Sequence, residues 1–271
     1  MAAAALFSMC LIAANCSVFD VQTIIENSVI ANQKDWNAAP SYAYRERDRI
    51  GTTTKTYEVT MILGSPYNRL IEVNGRALSP QDNAREQKKM EQVIAQRRGE
   101  SADQRQKRIA NYEKDRKRDH LMMEQLTQAF EFKLLGTRII DSREVYVLRA
   151  TPRKGYKPPN METQVLPAMR GELWIDRKTF QWVKVSAQVT RPVNIEGFLA
   201  QVQPGTRFEL EKMPVSDGIW LAKHFAMKSN ARVLFMFNRS DQEDNTFFDY
   251  RKIRNSDSAF TSTSTASTKS K

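Results

Sequence analysis

The chain has 271 residues, 41% of them hydrophobic and 27% charged, which suits one large domain or two small ones. Its 42 Lys and Arg against 31 Asp and Glu leave a formal charge of +11. That balance allows attraction to anionic lipid, nucleic acid or an acidic protein surface and does not choose among them. Both cysteines, Cys10 and Cys16, lie near the start, which excludes a disulfide-stapled scaffold.

The opening "MAAAALFSMCLIAA" is apolar and uncharged, and Lys34 is the first Lys or Arg. It is shorter than the roughly 20 residues a helix needs to cross a bilayer. It reads as the core of a secretory signal peptide over residues 1–16. Cleavage after Ala14 or Cys16 leaves one cysteine or none. The stretch "LIAANC" also carries a lipoprotein reading, with Cys16 lipidated and the protein anchored covalently to the outer membrane.

The mature part, residues 17–255, is expected to form a single domain. It opens with apolar residues at Val21, Ile24, Ile25, Val29 and Ile30, a helical spacing, with Asp20 as N-cap. "SYAYRERDRI", "TKTYEVTMIL" and "YNRLIEVNGRAL" then alternate or turn as a β-meander. At Ser79 the texture becomes helical, with Pro80 at the first helical position and Ser101 capping a second helix after Gly99. From Asp82 to Asp119 there are twelve Lys/Arg and eight Asp/Glu. The apolar stripe is thin until "HLMMEQLTQAF". The expectation is an inserted helical pair over 79–128, mostly solvated and docked only at its C-terminal end.

Strands resume with "FEFKLLGTRIIDSREVYVLRATP", a hairpin turning at "DSRE". A loop with Pro158, Pro159 and Pro167 leads to "RGELWIDRKTFQWVKVSAQV", and further short strands follow to "TFFDYRKI". The fold class is therefore mainly β (α+β): an antiparallel curved sheet or half-barrel of about eleven strands, with helices in its concavity. The Ser/Thr-rich tail, 256–271, reads as disordered.

Chemistry is sparse. His120 and His224 are the only histidines, with no Cys or carboxylate at zinc-ligand spacing. No G-x-S-x-G, phosphate-cradling loop or dinucleotide fingerprint occurs. His224 reads as a surface or groove-lining residue rather than a base. Of the scattered acids Asp141, Asp176, Asp217 and Asp249, Asp176 reads as a turn residue. No enzyme activity, metal or cofactor is expected. In "RQKR" and "KDRKRDH" acids are interleaved and stacking aromatics are missing, so nucleic acid is not an expected partner. Anionic lipid head groups or a partner's acidic patch remain.

Several strands lack a cleanly polar face. Val183, Val185, Ala187 and Val189 form one row, with Phe180 and Trp182 heading the other. Ile219, Leu221, Phe225 and Met227 share a face opposite Trp220, Ala222 and Ala226, and "ARVLFMF" is apolar on both. Such a sheet must be covered by helices or by a ligand.

The stretch "RGELWIDRKTFQWVKVSAQV" resembles the G-x-L-W-I-D-x-x-T hairpin of the LolA/LolB outer-membrane lipoprotein carrier superfamily. "YVLRATP" and "FFDYRKI" resemble the strands before the hairpin and at the end of the domain. The resemblance implies an eleven-stranded half-barrel in the periplasm that binds acyl chains or lipoproteins without chemistry. On it, the ligand-groove candidates are Trp174, Phe180, Trp182, Trp220, Phe225 and Phe235, with Met161, Leu166 and Met169 from the Pro-containing loop. The expected partner is a lipid or an acylated lipoprotein. The alternative is an envelope scaffold or sensor that meets an anionic membrane surface or envelope protein through the basic helices.

Overall fold

A computed structural model of the chain describes residues 20–195, 200–233 and 237–253. The expected signal peptide, Cys16, the tail and Phe235 lie outside the described residues.

Asp20 caps the first helix, α1 (Val21–Ala38), by accepting from the Thr23 backbone N–H at 2.9 Å. Its buried stripe begins as the apolar spacing predicts, with Ile24 and Ile25, and then turns polar with Ser28, Asn32 and Asp35. Ile30, expected on that stripe, is 68% exposed. At about 3.6 residues per turn Ile30 falls on the opposite side of the helix from Ile24, Ser28, Asn32 and Asp35, and the stripe itself turns polar because the sheet beneath offers Lys212 and the Trp220 N–H to the helix's second half.

Four strands follow: β1 (Tyr42–Ile50), β2 (Thr53–Ile62), β3 (Ser65–Val73) and β4 (Arg76–Ala77). The helical pair is α2 (Pro80–Arg98), capped by Ser79, and α3 (Ala102–Ala129), opened by a capping box of Ser101 and Gln104. Next come β5 (Phe130–Ile140) and β6 (Arg143–Pro152), joined by Asp141 and Ser142, both at positive φ. A 3₁₀ segment (Glu162–Ala168) precedes β7 (Met169–Asp176) and β8 (Trp182–Val189). Short β9 (Val193–Ile195) and β10 (Ala200–Val202) lead to β11 (Arg207–Ser216), β12 (Ile219–Val233) and β13 (Phe237–Lys252).

Eleven strands hydrogen-bond in the order β4-β3-β2-β1-β13-β12-β11-β8-β7-β6-β5, all pairs antiparallel. The two ends of this curved path do not pair with each other, so the half-barrel stays open. Its core lies where α1 meets β6, β7 and β8: Ile24 and Ile25 pack with Tyr146, Leu148, Leu173, Ile175 and Trp182.

The inserted pair departs from expectation. It is docked at its tip as well as at its C-terminal end. Arg97 donates to the carbonyls of Ile62, Ser65 and Pro66 at 2.7–3.1 Å. Arg108 donates to Ser65 Oγ and the Leu63 carbonyl while pairing with Glu100 at 2.6 Å. Gly64, at φ +92°, lets Ile109 approach so closely that a Cβ would sit 2.8 Å from its Cδ1. Midway along α3, Arg116 donates to the Trp36 carbonyl, and the His120 ring stacks on Trp36 at 4.5 Å. Arginines that read as solvated charges thus hold α3 to the β2–β3 turn and to α1. α2 itself buries no residue.

Candidate functional site

The β7–β8 hairpin is built as its sequence suggests at the turn. Asp176 Oδ1 accepts from the backbone N–H groups of Lys178 and Thr179 and from Thr179 Oγ1, at 2.8–3.0 Å. Phe180 closes the turn at φ 56°. Beyond it the simple alternation fails. A register shift sets Lys184 opposite Trp174 but Trp182 opposite Ile175. This bulge at Val183 moves Trp182 onto the face of Val185, Ala187 and Val189, not the opposite row where unbroken alternation puts it.

That face carries the site. Cross-strand pairing lines up Phe132, Ala150, Gly171, Ala187 and Phe208, one residue from each of β5, β6, β7, β8 and β11. Three small residues between two phenylalanines leave a trough in the sheet. Gly171 is obligatory there, since a Cβ would come 2.3 Å from the Ser186 carbonyl oxygen. The adjoining row, Leu134, Leu148, Leu173, Val185, Leu210 and Phe225, is wholly apolar. Met123 and Leu126 of α3 and Leu166 of the 3₁₀ segment roof the trough. They leave a groove of about 310 Å³, at the lower end of the roughly 300–1,000 Å³ of ligand pockets. The helices therefore do not fill the concavity.

Of the nine expected groove residues, Leu166, Met169, Trp182 and Phe225 line this groove. Phe180 instead packs from the turn against the cluster holding Trp182. Met161 is 43% exposed and outside the lining. Trp174 alternates with Leu173 and Ile175 and so faces the other side of the sheet. With Trp220 it borders a separate, mixed cavity of about 480 Å³ beside Arg143, Lys184 and Lys223. Arg143 lies over the Trp220 ring at 5.0 Å.

α1, whose first half packs against the groove's Trp182 end, is fixed by a buried polar cluster. Asp35 accepts from Lys212 Nζ at 2.5 Å, the Trp220 backbone N–H at 2.9 Å and Gln181 Nε2 at 3.1 Å. Burial pushes the Lys212 ammonium below the usual lysine range even with Asp35 holding it up. On α3, burial likewise lowers His120, whose Nε2 lies 2.9 Å from Gln33 Oε1. None of these groups forms a nucleophile–base pair with another. His224 is a half-buried partner of Asp244 at 3.0 Å, outside the groove. Asp141, Asp217 and Asp249 each sit at positive φ, a conformation Asp tolerates better than most residues. Among the described residues no group of three or more His, Cys, Asp or Glu could hold a metal ion. Among them, too, no helix is long and apolar enough to cross a membrane.

No protein-family model matches the chain, and no curated protein matches it. Solved structures do. A LolA superfamily protein from Nitrosomonas europaea is similar at 12% identity and a TM-score of 0.31, covering 88% of this chain and 94% of that one. An outer membrane lipoprotein-sorting protein domain from Vibrio parahaemolyticus is similar at 10% identity and a TM-score of 0.32, covering 86% and 93%. MucB of Pseudomonas aeruginosa, solved in complex with MucA, is similar at 13% identity and a TM-score of 0.24, covering 84% and 99%.

Proposed function

We propose that this is an exported carrier that holds the acyl chain of a lipid or an acylated lipoprotein non-covalently in the groove, working in the periplasm. The observation that carries the reading is the trough over Ala150, Gly171 and Ala187. It is roofed by apolar side chains and left unfilled by the protein's own helices.

The magnitudes suit a carrier. At roughly 30 Å³ per water-sized group, the groove takes about ten methylenes. Each removed from water contributes about 0.8 kcal/mol, or about 8 kcal/mol gross. Loss of translational and rotational freedom offsets part of this, so the net affinity falls in the micromolar range or weaker. A chain held that loosely can be handed on. Met123 is the adaptable roof element, because its unbranched thioether repacks around different chain lengths.

The test is uptake of a fluorescent acyl probe by the full chain and by Ala187→Trp, which fills the trough. Uptake by the parent and its loss in the variant, with the far-UV spectrum kept, support the reading. Equal uptake by both contradicts it.

A second reading, an envelope scaffold, is favoured by α2, a helix of 19 residues that buries none of them. Charge reversal at Lys88 and Lys114 would then abolish partner capture and leave acyl uptake intact.

A further inference from the structure

Trp182 stands out in the groove wall. Only 4% of its surface is exposed, and its indole N–H is buried without a hydrogen-bond partner. A buried donor with no acceptor is uncommon and costs free energy that a partner would recover. The neighbouring Gln181 has an unpartnered acceptor, Oε1, but its amide is held by Asp35 and Oε1 does not reach the indole. Among the described side chains on Trp182's face of the trough, Leu173, Val185, Leu210 and Phe225 offer no oxygen, and the phenol of Tyr146, across Ile175 in the same row, makes no hydrogen bond to the indole.

We propose that the Trp182 indole N–H is a specificity element for the carbonyl oxygen of an acyl ester or amide, so that the groove selects acylated ligands over plain alkyl chains. The inference rests on the carrier reading and deepens it. Charge argues for a neutral acceptor. Among the described residues at the groove, the cation Arg170 alternates with Met169 and Gly171 onto the other face of the sheet and is exposed, so a carboxylate moved into the trough would lose its hydration without a buried counter-charge. A neutral ester or amide oxygen meets the donor at far smaller desolvation cost.

Position also orients the chain. Trp182 pairs with Ile175 at one end of the trough, whereas Met169 and Leu166 close the other. The carbonyl end therefore lies against α1, and the methyl end runs over Gly171 toward Leu166. The indole nitrogen is itself buried. Met123 and Leu126, which line the groove and pack against the cluster holding Trp182, are the side chains an entering chain displaces.

The experiment compares 1-decanoylglycerol with 1-O-decylglycerol, which share a head group and a chain of about ten carbons matched to the groove. Each competes with an apolar fluorescent dye on the full-length chain, and the readout is the ester-to-ether affinity ratio within each protein. The parent is expected to favour the ester about tenfold, and Trp182→Phe to bring the ratio to about one. A ratio near one in the parent, or a preference that survives Trp182→Phe, overturns the inference and leaves the carrier reading standing. Failure of the dye and both lipids to bind the parent overturns both.

Should Trp182→Phe not fold, the indole N–H resonance of Trp182 in the parent decides. Trp36→Phe, Trp174→Phe and Trp220→Phe identify the other three tryptophan signals and so leave that of Trp182 assigned. A downfield shift with the ester but not the ether supports the bond. Its absence with bound ester overturns it.

Discussion

Replacing Asp35 by Ala removes the acceptor that joins α1 to the sheet. The carboxylate takes hydrogen bonds from Lys212, Gln181 and the Trp220 backbone. The Lys212 side chain is only 9% exposed, so its ammonium would remain buried with Asn32 Oδ1 as its remaining partner at 2.8 Å. Stranding one member of a buried ion pair costs about 3–5 kcal/mol. For a chain of this size, about 4 kcal/mol lowers Tm by roughly 8–16 °C. The double variant Asp35→Ala/Lys212→Met removes the stranded charge and should recover most of the loss. pH gives an independent handle. Loss of Asp35 leaves burial unopposed and lowers the folded-state pKa of Lys212 further. The folded variant then sheds its proton at a pH where the unfolded lysine, near 10.4, still holds one, so stability rises with pH in that window. Urea unfolding of the three proteins at several pH values measures all of this. A cost below about 1 kcal/mol for Asp35→Ala, or no recovery in the double variant, would refute the view that this cluster seats α1.

Arg97→Ala should free the tip of the helical pair. It leaves three carbonyls of the β2–β3 turn without their donor, at a cost of about 1.5–3 kcal/mol. Faster hydrogen exchange confined to the α2–α3 tip and the β2–β3 turn is the expected sign. Gly171→Ala forces a Cβ toward the Ser186 carbonyl and should cost about 1–3 kcal/mol by denaturant titration while shrinking the groove. Glu46 has an opposite pH signature to an ordinary paired carboxylate. Burial, with the nearby Asp48 adding to it, raises its pKa from 4.5 to about 7. Its ionisation therefore opposes folding, and stability declines as pH rises from about 4.5 through 7. Glu46→Gln should leave stability unchanged below pH 4.5 and raise it by about 1–2 kcal/mol above pH 7, allowing for partial solvent screening.

The elements were readable where the signal is local. Asp20, Ser79 and Ser101 cap the helices the sequence assigns to them. Asp176 makes the turn its position suggests. The curved antiparallel sheet of eleven strands follows from the spacing of strands and turns. The groove was harder. Its floor exists only because Ala150, Gly171 and Ala187, from three separate strands, fall in one row, and that register is non-local. A single bulge at Val183 inverts the facing of Trp182, and period-two reasoning cannot see a bulge. Trp174 and Trp220 read as groove residues by their size alone, but they border the opposite cavity. Arg97 and Arg108 looked like solvent charges because nothing in their flanking sequence marks the turn that they grip.

An acyl chain held in the groove would leave the cell with the protein. Native mass spectrometry of the full chain, purified from the envelope of the cells that make it, tests this most directly. The expected result is added masses that organic extraction removes and that fragment as acyl esters or amides. A bare protein mass, from material that also fails to take up added acyl lipid, would contradict it.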